Sequence, residues 1–266
     1  MSSWGKWWYI RRGTMALILA LFLLPAWGRW SLLQGNYSAS TLLGIIPMAD
    51  PLAAAQAFLA TGGLGQKALI GAAVVTVFYL LAGGRAFCGW VCPLGALMDL
   101  AHWLSGMLAI RKPFAGFPSV TRWYLLASMI IAPAISGVAL YELYNPISIF
   151  HRTLLFYGAG IGMGSAMLVA VMFLYELALA RAGWCKTLCP LGAFYILLGR
   201  VSPMRVEAST SAPAELARLM GETCPEPGAI AGVLGREPFN GECTLCGACV
   251  DKSGGAARFK WKLTHS

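Results

Sequence analysis

The chain has 266 residues, 58% of them hydrophobic and only 12% charged, with a net charge of +9 at pH 7. Soluble domains carry about a quarter charged residues, so the composition argues against an ordinary water-soluble globule and predicts a membrane protein. The excess of 20 Lys and Arg over 11 Asp and Glu would also suit a nucleic-acid partner, but its distribution assigns it to cytoplasmic loops, and no nucleic acid is expected.

The N-terminus brings Trp4, Trp7, Trp8 and Tyr9 together with Lys6, Arg11 and Arg12, a pattern that reads as an interfacial belt. An uncharged run from about Thr14 into Leu33, interrupted by Arg29, predicts a first spanning helix. The same basic start and apolar centre would suit a cleaved export leader. The retained helix is preferred because it keeps the charge sorting consistent. Further runs over Ala68–Gly84, Trp123–Tyr141 and Thr153–Tyr175 predict three more spans. In the last of them Gly158, Gly160, Gly162 and Gly164 predict close helix packing. Arg85, Arg111, Lys112 and Arg122 lie between the second and third runs, and ten more basic residues follow the fourth. Lys and Arg then sort 17 to 3 between the two sides, with Arg29, Lys67 and Arg152 in the minority. That asymmetry places both termini in the cytoplasm.

Two segments repeat. FCGWVCPLGAL (Phe87 to Leu97) and WCKTLCPLGAF (Trp184 to Phe194) share an aromatic-C-x3-C-P-L-G-A pattern, 97 residues apart. Each follows an uncharged run and a nearby arginine, Arg85 or Arg181. The expected fold is therefore all-α: four transmembrane helices as two related halves. Cysteines four apart share one helix face, and the proline after them suits the first turn of a new helix. Cys88, Cys92, Cys185 and Cys189 could thus meet as a second thiolate-bound centre. The alternative is that they are small buried apolar residues. A reducing compartment disfavours disulfides among them.

Residues 1–200 are expected to form the transmembrane domain and 201–266 a small ferredoxin-like iron–sulfur tail. The tail is polar, rich in Gly and Pro, and too small to build a stable core unaided. In CTLCGACVDKSG, Cys243, Cys246 and Cys249 open a C-x2-C-x2-C-x3-C-P run, but Ser253 and Gly254 stand where Cys-Pro should close it. Upstream, Cys224-Pro225 has the form of such a close, while Ala214, Ala217 and Met220 occupy the three earlier positions. In two-cluster ferredoxins the fourth cysteine of one run binds the cluster of the other. Crossed connectivity therefore leaves one complete set, Cys224, Cys243, Cys246 and Cys249, and removes all four ligands of its neighbour. Zinc also takes four thiolates, but its usual two C-x2-C pairs differ from this row, so a 4Fe–4S cluster is the first reading.

The paired C-x3-C-P motifs, the cysteine tail, and the phrases GNYSAS and PMADP after the first run resemble the NapH family and the closely related MauN proteins. The resemblance implies a four-helix protein of the bacterial inner membrane. Such a protein passes electrons between the quinone pool and a ferredoxin-type or periplasmic redox partner, in nitrate reduction or methylamine utilisation. Nitrate-type members usually carry two complete cluster runs, and this sequence departs there.

The expected function is electron transfer with quinol as substrate and one 4Fe–4S cluster, as a possible quinol dehydrogenase subunit with no catalytic side chain assigned. A maturation factor for a partner enzyme is the alternative, and a transporter a weaker one. No quinone site is legible. Asp50, Glu142, His151, Asp99 and His102 read as interfacial polar residues rather than proton acceptors.

Overall fold

A computed structural model describes residues 5–24, 33–36, 38–108, 110, 117–139, 141–155, 160–178, 183–208 and 213–262. Trp4, Arg29, Arg111, Lys112, Gly158 and Arg181, along with the side chain of Glu142, lie outside the described residues.

Helix α1 (Lys6–Leu23) is followed by three short antiparallel strands, β1 (Leu33–Gly35), β2 (Ala39–Leu42) and β3 (Ile46–Ala49). The GNYSAS phrase is the turn into β2: Asn36 Oδ1 accepts the N–H groups of Ser38 at 3.0 Å and Ala39 at 2.7 Å, as asparagine does in turns. The PMADP phrase is a helix start. Asp50 caps α2 (Pro51–Thr61) through the Leu52 N–H at 2.9 Å, with proline in the first turn. Helices α3 (Gln66–Ala82), α4 (Ala86–Trp90) and α5 (Pro93–Met107) carry the first repeat. Then come α6 (Thr121–Ser136), α7 (Tyr141–Tyr144) and α8 (Pro146–Leu155). Helix α9 (Gly160–Ala178), a π-helical turn (Trp184–Leu188) and α10 (Pro190–Val201) carry the second repeat. The tail contributes β4 (Met204–Ala208), α11 (Pro213–Thr223), a 3-10 turn (Pro227–Ala229), α12 (Ile230–Val233), α13 (Ala248–Lys252) and β5 (Ala257–Trp261).

The expected all-α architecture of four transmembrane helices is overturned on two counts. Among the described residues no helix is long and apolar enough to cross a membrane, and the chain forms five short strands. The physical reason lies in how the uncharged runs end. The first helix takes in Lys6, Arg11 and Arg12 and stops at Leu23. Helix α3 has 17 residues, about 25 Å at 1.5 Å per residue, against a hydrocarbon core of about 30 Å; Gly83 follows it with φ 102°. Helix α6 contains Pro133 and ends on left-handed Gly137 after 16 residues. In the fourth expected span, residues 156–159 lie outside the described residues, and α9, which begins at Gly160, carries the fully buried Glu176. The same finding overturns the expected localisation, a multi-pass protein of the inner membrane with both termini in the cytoplasm.

The chain forms two compact units. One comprises Leu17–Thr76 and Pro93–Phe194. Its core contains a polar network in which Tyr141 Oη donates to Asp50 Oδ2 at 2.8 Å and the Tyr141 N–H to Gln56 Oε1 at 2.9 Å. Gln56 Nε2 donates to the Met129 carbonyl. Ser38 and Ser148 share a hydroxyl bond of 2.8 Å. Asp50 and His151, expected at an interface, are buried. His102 Nε2 instead pairs with Glu176 Oε1 at 3.0 Å, and Asp99 is half-buried. At Gly164 an added Cβ would meet nothing within 4 Å, so that glycine is not a point of close approach.

The other unit comprises Met1–Ala16, Val77–Cys92 and Tyr195–Ser266. Strands β4 and β5 pair antiparallel, with Val206 opposite Phe259. Its apolar core joins Val206, Leu216, Met220, Val233, Leu245 and Ala257 to Ala86 of α4. Trp7, expected in an interfacial belt, packs here edge-on against Trp90 and Phe259, with centroids 5.9 and 5.0 Å away. Its N–H donates to Asp251 Oδ2 at 2.9 Å.

Candidate metal centre

The row Cys243–Cys249 is a turn before it is a site. Leu245 takes φ 52° and Gly247 φ 74°, which wind the chain tightly between cysteines. Only glycine reaches such angles without cost, so Leu245 stores about 1 kcal/mol of backbone strain. At Gly247 an added Cβ would also lie 2.6 Å from the Trp7 ring. Helix α13 then begins on Ala248 and carries Cys249 on its first turn.

Cys224 reaches the same place from the other side. It follows the last turn of α11, its N–H donating to the Met220 carbonyl at 2.7 Å. Cys224, Cys243, Cys246 and Cys249 all line one cavity, with Val206, Met220, Ala229 and Val233 as its apolar wall and Glu226, Thr244 and Gly247 beside them. Among the described residues, no group of three or more His, Cys, Asp or Glu side chains is arranged to hold a metal ion.

Burial raises the thiols, and neighbouring sulfurs add to it. Cys224 is pushed up to about 12 and Cys249 to about 11, in each case by burial first and by Cys246 second. Cys243 is raised well above its ordinary value for the same two reasons. A set of thiols this reluctant to ionise alone needs a cation to become thiolate. Backbone groups are already aimed to help: that of Leu245 at Cys243, and those of Cys249 and Val250 at Cys249, all favouring the thiolate. Arg12, its own guanidinium lowered to about 10 by burial and by Arg11, is attracted to Cys246. The donor set, the apolar wall and these oriented dipoles suit an iron–sulfur cluster.

The four positions where a second cysteine set would fall are held by structural residues. Ala214 and Ala217 lie on α11, exposed and half-buried, and Met220 is 1% exposed in the core. Ser253 Oγ accepts the Ala257 N–H at 2.9 Å and so ties α13 to β5.

The first C-x3-C-P element touches this site directly. Trp90 Nε1 donates to the Leu245 carbonyl at 2.9 Å. A Cβ on Gly89 would lie 2.3 Å from the Thr244 carbonyl oxygen, so backbone meets backbone there. Arg85, 1% exposed, forms a 2.7 Å ion pair with Glu226. Burial raises the Cys88 thiol, and a hydrogen bond from Arg85 partly offsets that. Cys88 and Cys92 belong to the tail's unit, whereas Cys185 and Cys189 belong to the other. In that other unit Cys189 Sγ accepts the Gly192 N–H at 3.4 Å, a helix-capping role. In the sequence, Arg85 reads as a loop charge beside the repeat and Trp7 as interfacial, while Glu226 and Trp90 do not stand out. A basic residue between apolar runs and an acidic residue two after Cys224 were the available signals.

A family model described as a 4Fe-4S binding domain matches residues 64–111 and 161–208. The two matches are offset by 97 residues (161 − 64), the spacing of the repeat, and contain Cys88, Cys92, Cys185 and Cys189 rather than the tail cysteines. The methylamine utilization ferredoxin-type protein MauN of Methylorubrum extorquens is 38% identical over 86% of this chain and 78% of its own length. The ferredoxin-type protein NapH of Haemophilus influenzae is 36% identical over 100% of this chain and 95% of its own. NapH of Escherichia coli is 37% identical over 92% and 86%. No solved structure matches. With identities at this level over nearly the whole chain, the protein belongs to the NapH and MauN family of ferredoxin-type proteins.

Proposed function

We propose that this protein carries electrons singly between a two-electron donor of the quinol class and a partner redox protein, through one 4Fe–4S cluster held by Cys224, Cys243, Cys246 and Cys249. The observation that carries the reading is the convergence of the isolated Cys224 with the three clustered cysteines on one cavity. Relatives named as ferredoxin-type proteins, and matches described as a 4Fe-4S binding domain, support an iron–sulfur electron carrier. The names methylamine utilization and NapH point to a partner redox enzyme in such a system.

A bound 4Fe–4S cluster supplies one-electron chemistry whose potential follows burial and hydrogen bonds to sulfur. The chain's own contribution is to exclude water with Val206, Met220 and Val233, and to aim the backbone groups of Leu245 and Val250 at the sulfurs. Anaerobic purification with iron and sulfide analysis tests the reading. The expected result is about four irons per chain and an EPR signal on reduction, with quinol able to reduce the centre. Iron above that number assigns the remainder to Cys88, Cys92, Cys185 and Cys189. A colourless, iron-free protein overturns the proposal.

A further inference from the structure

Arg85 lies outside both stretches that carry the cluster cysteines, yet it holds both. Its Nη2 donates to Glu226 Oε1 at 2.7 Å and its Nη1 to the Glu242 carbonyl at 2.9 Å. Glu226 stands two residues after Cys224, and Glu242 immediately before Cys243. The Cys224 thiol in turn donates to the Glu226 carbonyl at 3.2 Å. Cys224 and Cys243 are 19 residues apart (243 − 224), so something must bring their segments to one place. A guanidinium can do so with a single side chain, because its planar fork presents separate N–H donors to two acceptors. Burial sharpens the role. The Arg85 and Glu226 side chains are only 1% and 5% exposed, and a buried charge stripped of its partner is strongly destabilising.

We infer that Arg85 is a positioning residue for the metal centre: it clamps the Cys224 segment to the Cys243–Cys249 loop and so assembles four thiolates from two stretches of chain. The inference rests on the cluster assignment above. It also gives the first repeat a role of its own, since the clamp comes from the residue that opens α4.

The test uses the full chain, purified anaerobically, as wild type and as R85M, R85K, E226Q and R218M. Arg218 is 86% exposed in the same unit and serves as control. With far-UV circular dichroism unchanged, R85M is expected to hold well under the wild-type iron and to lose the rest to a ferrous chelator at least about tenfold faster. R85K, which keeps the charge without the fork, falls between, and R218M matches wild type. E226Q, which keeps the side-chain shape but weakens the ion pair, is expected to release iron faster than wild type. If R85M does not fold, faster iron release in R85K and E226Q with unchanged circular dichroism sustains the clamp. Wild-type iron content and release rate in every folded Arg85 variant overturns it. A wild-type protein without iron overturns the cluster assignment before any variant is compared.

Discussion

Phe87 and Trp184 occupy the same place in the two copies of the C-x3-C-P element. In each, the aromatic residue's carbonyl accepts the N–H of the cysteine five residues on, Cys92 or Cys189, at 3.0 Å. Proline then starts a new helix in both. The closing hydrogen bond is shared, although Ala86–Trp90 is α-helical and Trp184–Leu188 π-helical, and the surroundings differ. In the first copy Gly89 meets the Thr244 backbone, Trp90 reaches Leu245 and Arg85 reaches Glu226. In the second, Trp184 N–H donates to Glu176 Oε2 at 3.3 Å, Thr187 Oγ1 to the Gly183 carbonyl at 2.5 Å, and Tyr144 Oη to the Leu188 carbonyl at 3.0 Å. Wide i to i+5 turns often mark functional sites. Here one copy contacts the tail's cysteine loop and the other its own helical unit, so a duplicated motif has kept its closing turn while its contacts diverged.

The largest expected effect falls on the fourth ligand. Cys224→Ala should abolish the intact cluster, read as loss of about four irons, whereas Cys185→Ala should leave tail iron at the wild-type level. Equal losses in both variants would erase the distinction between the copies. Next comes the close backbone approach. Gly89→Ala places a methyl against the Thr244 carbonyl and should destabilise the tail's unit by about 1–3 kcal/mol in thermal unfolding. Lys186, 97 residues on, should accept alanine within about 0.5 kcal/mol.

Alkaline titration of the iron-free protein separates the units in another way. The raised thiols of Cys224, Cys243 and Cys249 bind protons more tightly in the folded state than in the unfolded one. Their contribution to stability is therefore complete below the unfolded thiol pKa, about 8.5. It is lost as pH rises through the folded values of about 11 for Cys249 and about 12 for Cys224. Unfolding of the tail's unit should accompany that rise, and a flat profile from pH 8 to 12 would contradict it. The metal-loaded protein should behave oppositely and lose metal as pH falls, because protons compete for the thiolates.

Two smaller effects complete the series. Trp90→Phe removes one hydrogen bond to the cluster loop and should cost about 1 kcal/mol, with faster iron release to a chelator. Cys189→Ala removes a helix cap and should cost about 1 kcal/mol or less, with Cys189→Ser restoring it. Neither Cys189 variant should change the iron content of the tail.

The grouping of the four tail cysteines was legible in the residues. The broken run at Ser253, the stray Cys224-Pro225 and the crossed connectivity rule pointed to one set of four cysteines, and these four line one cavity. The repeat was legible too, because identical turn chemistry before a proline leaves a mark in one dimension. The spans were not. Counting uncharged residues measures hydrophobicity, but helix length is decided by where Gly83, Pro133 and Gly137 sit, and those breaks left no described helix able to cross a membrane. Trp7 and Asp50 were misplaced for a related reason. An aromatic near lysine and an aspartate between apolar runs both read as interfacial until the partners that bury them are known.

Turn chemistry belongs to single residues and their close neighbours, so spacing alone determined the duplicated element and the helix starts at Pro93 and Pro190, and it singled out the four tail cysteines that line one cavity. Which copy of the element lies against the cysteine cavity, and that Arg85 bonds to both cysteine-bearing segments, was decided only by the tertiary structure. Burial and charge pairing arise from residues far apart in the chain, such as Arg85 and Glu226, 141 positions distant, and no local pattern records them.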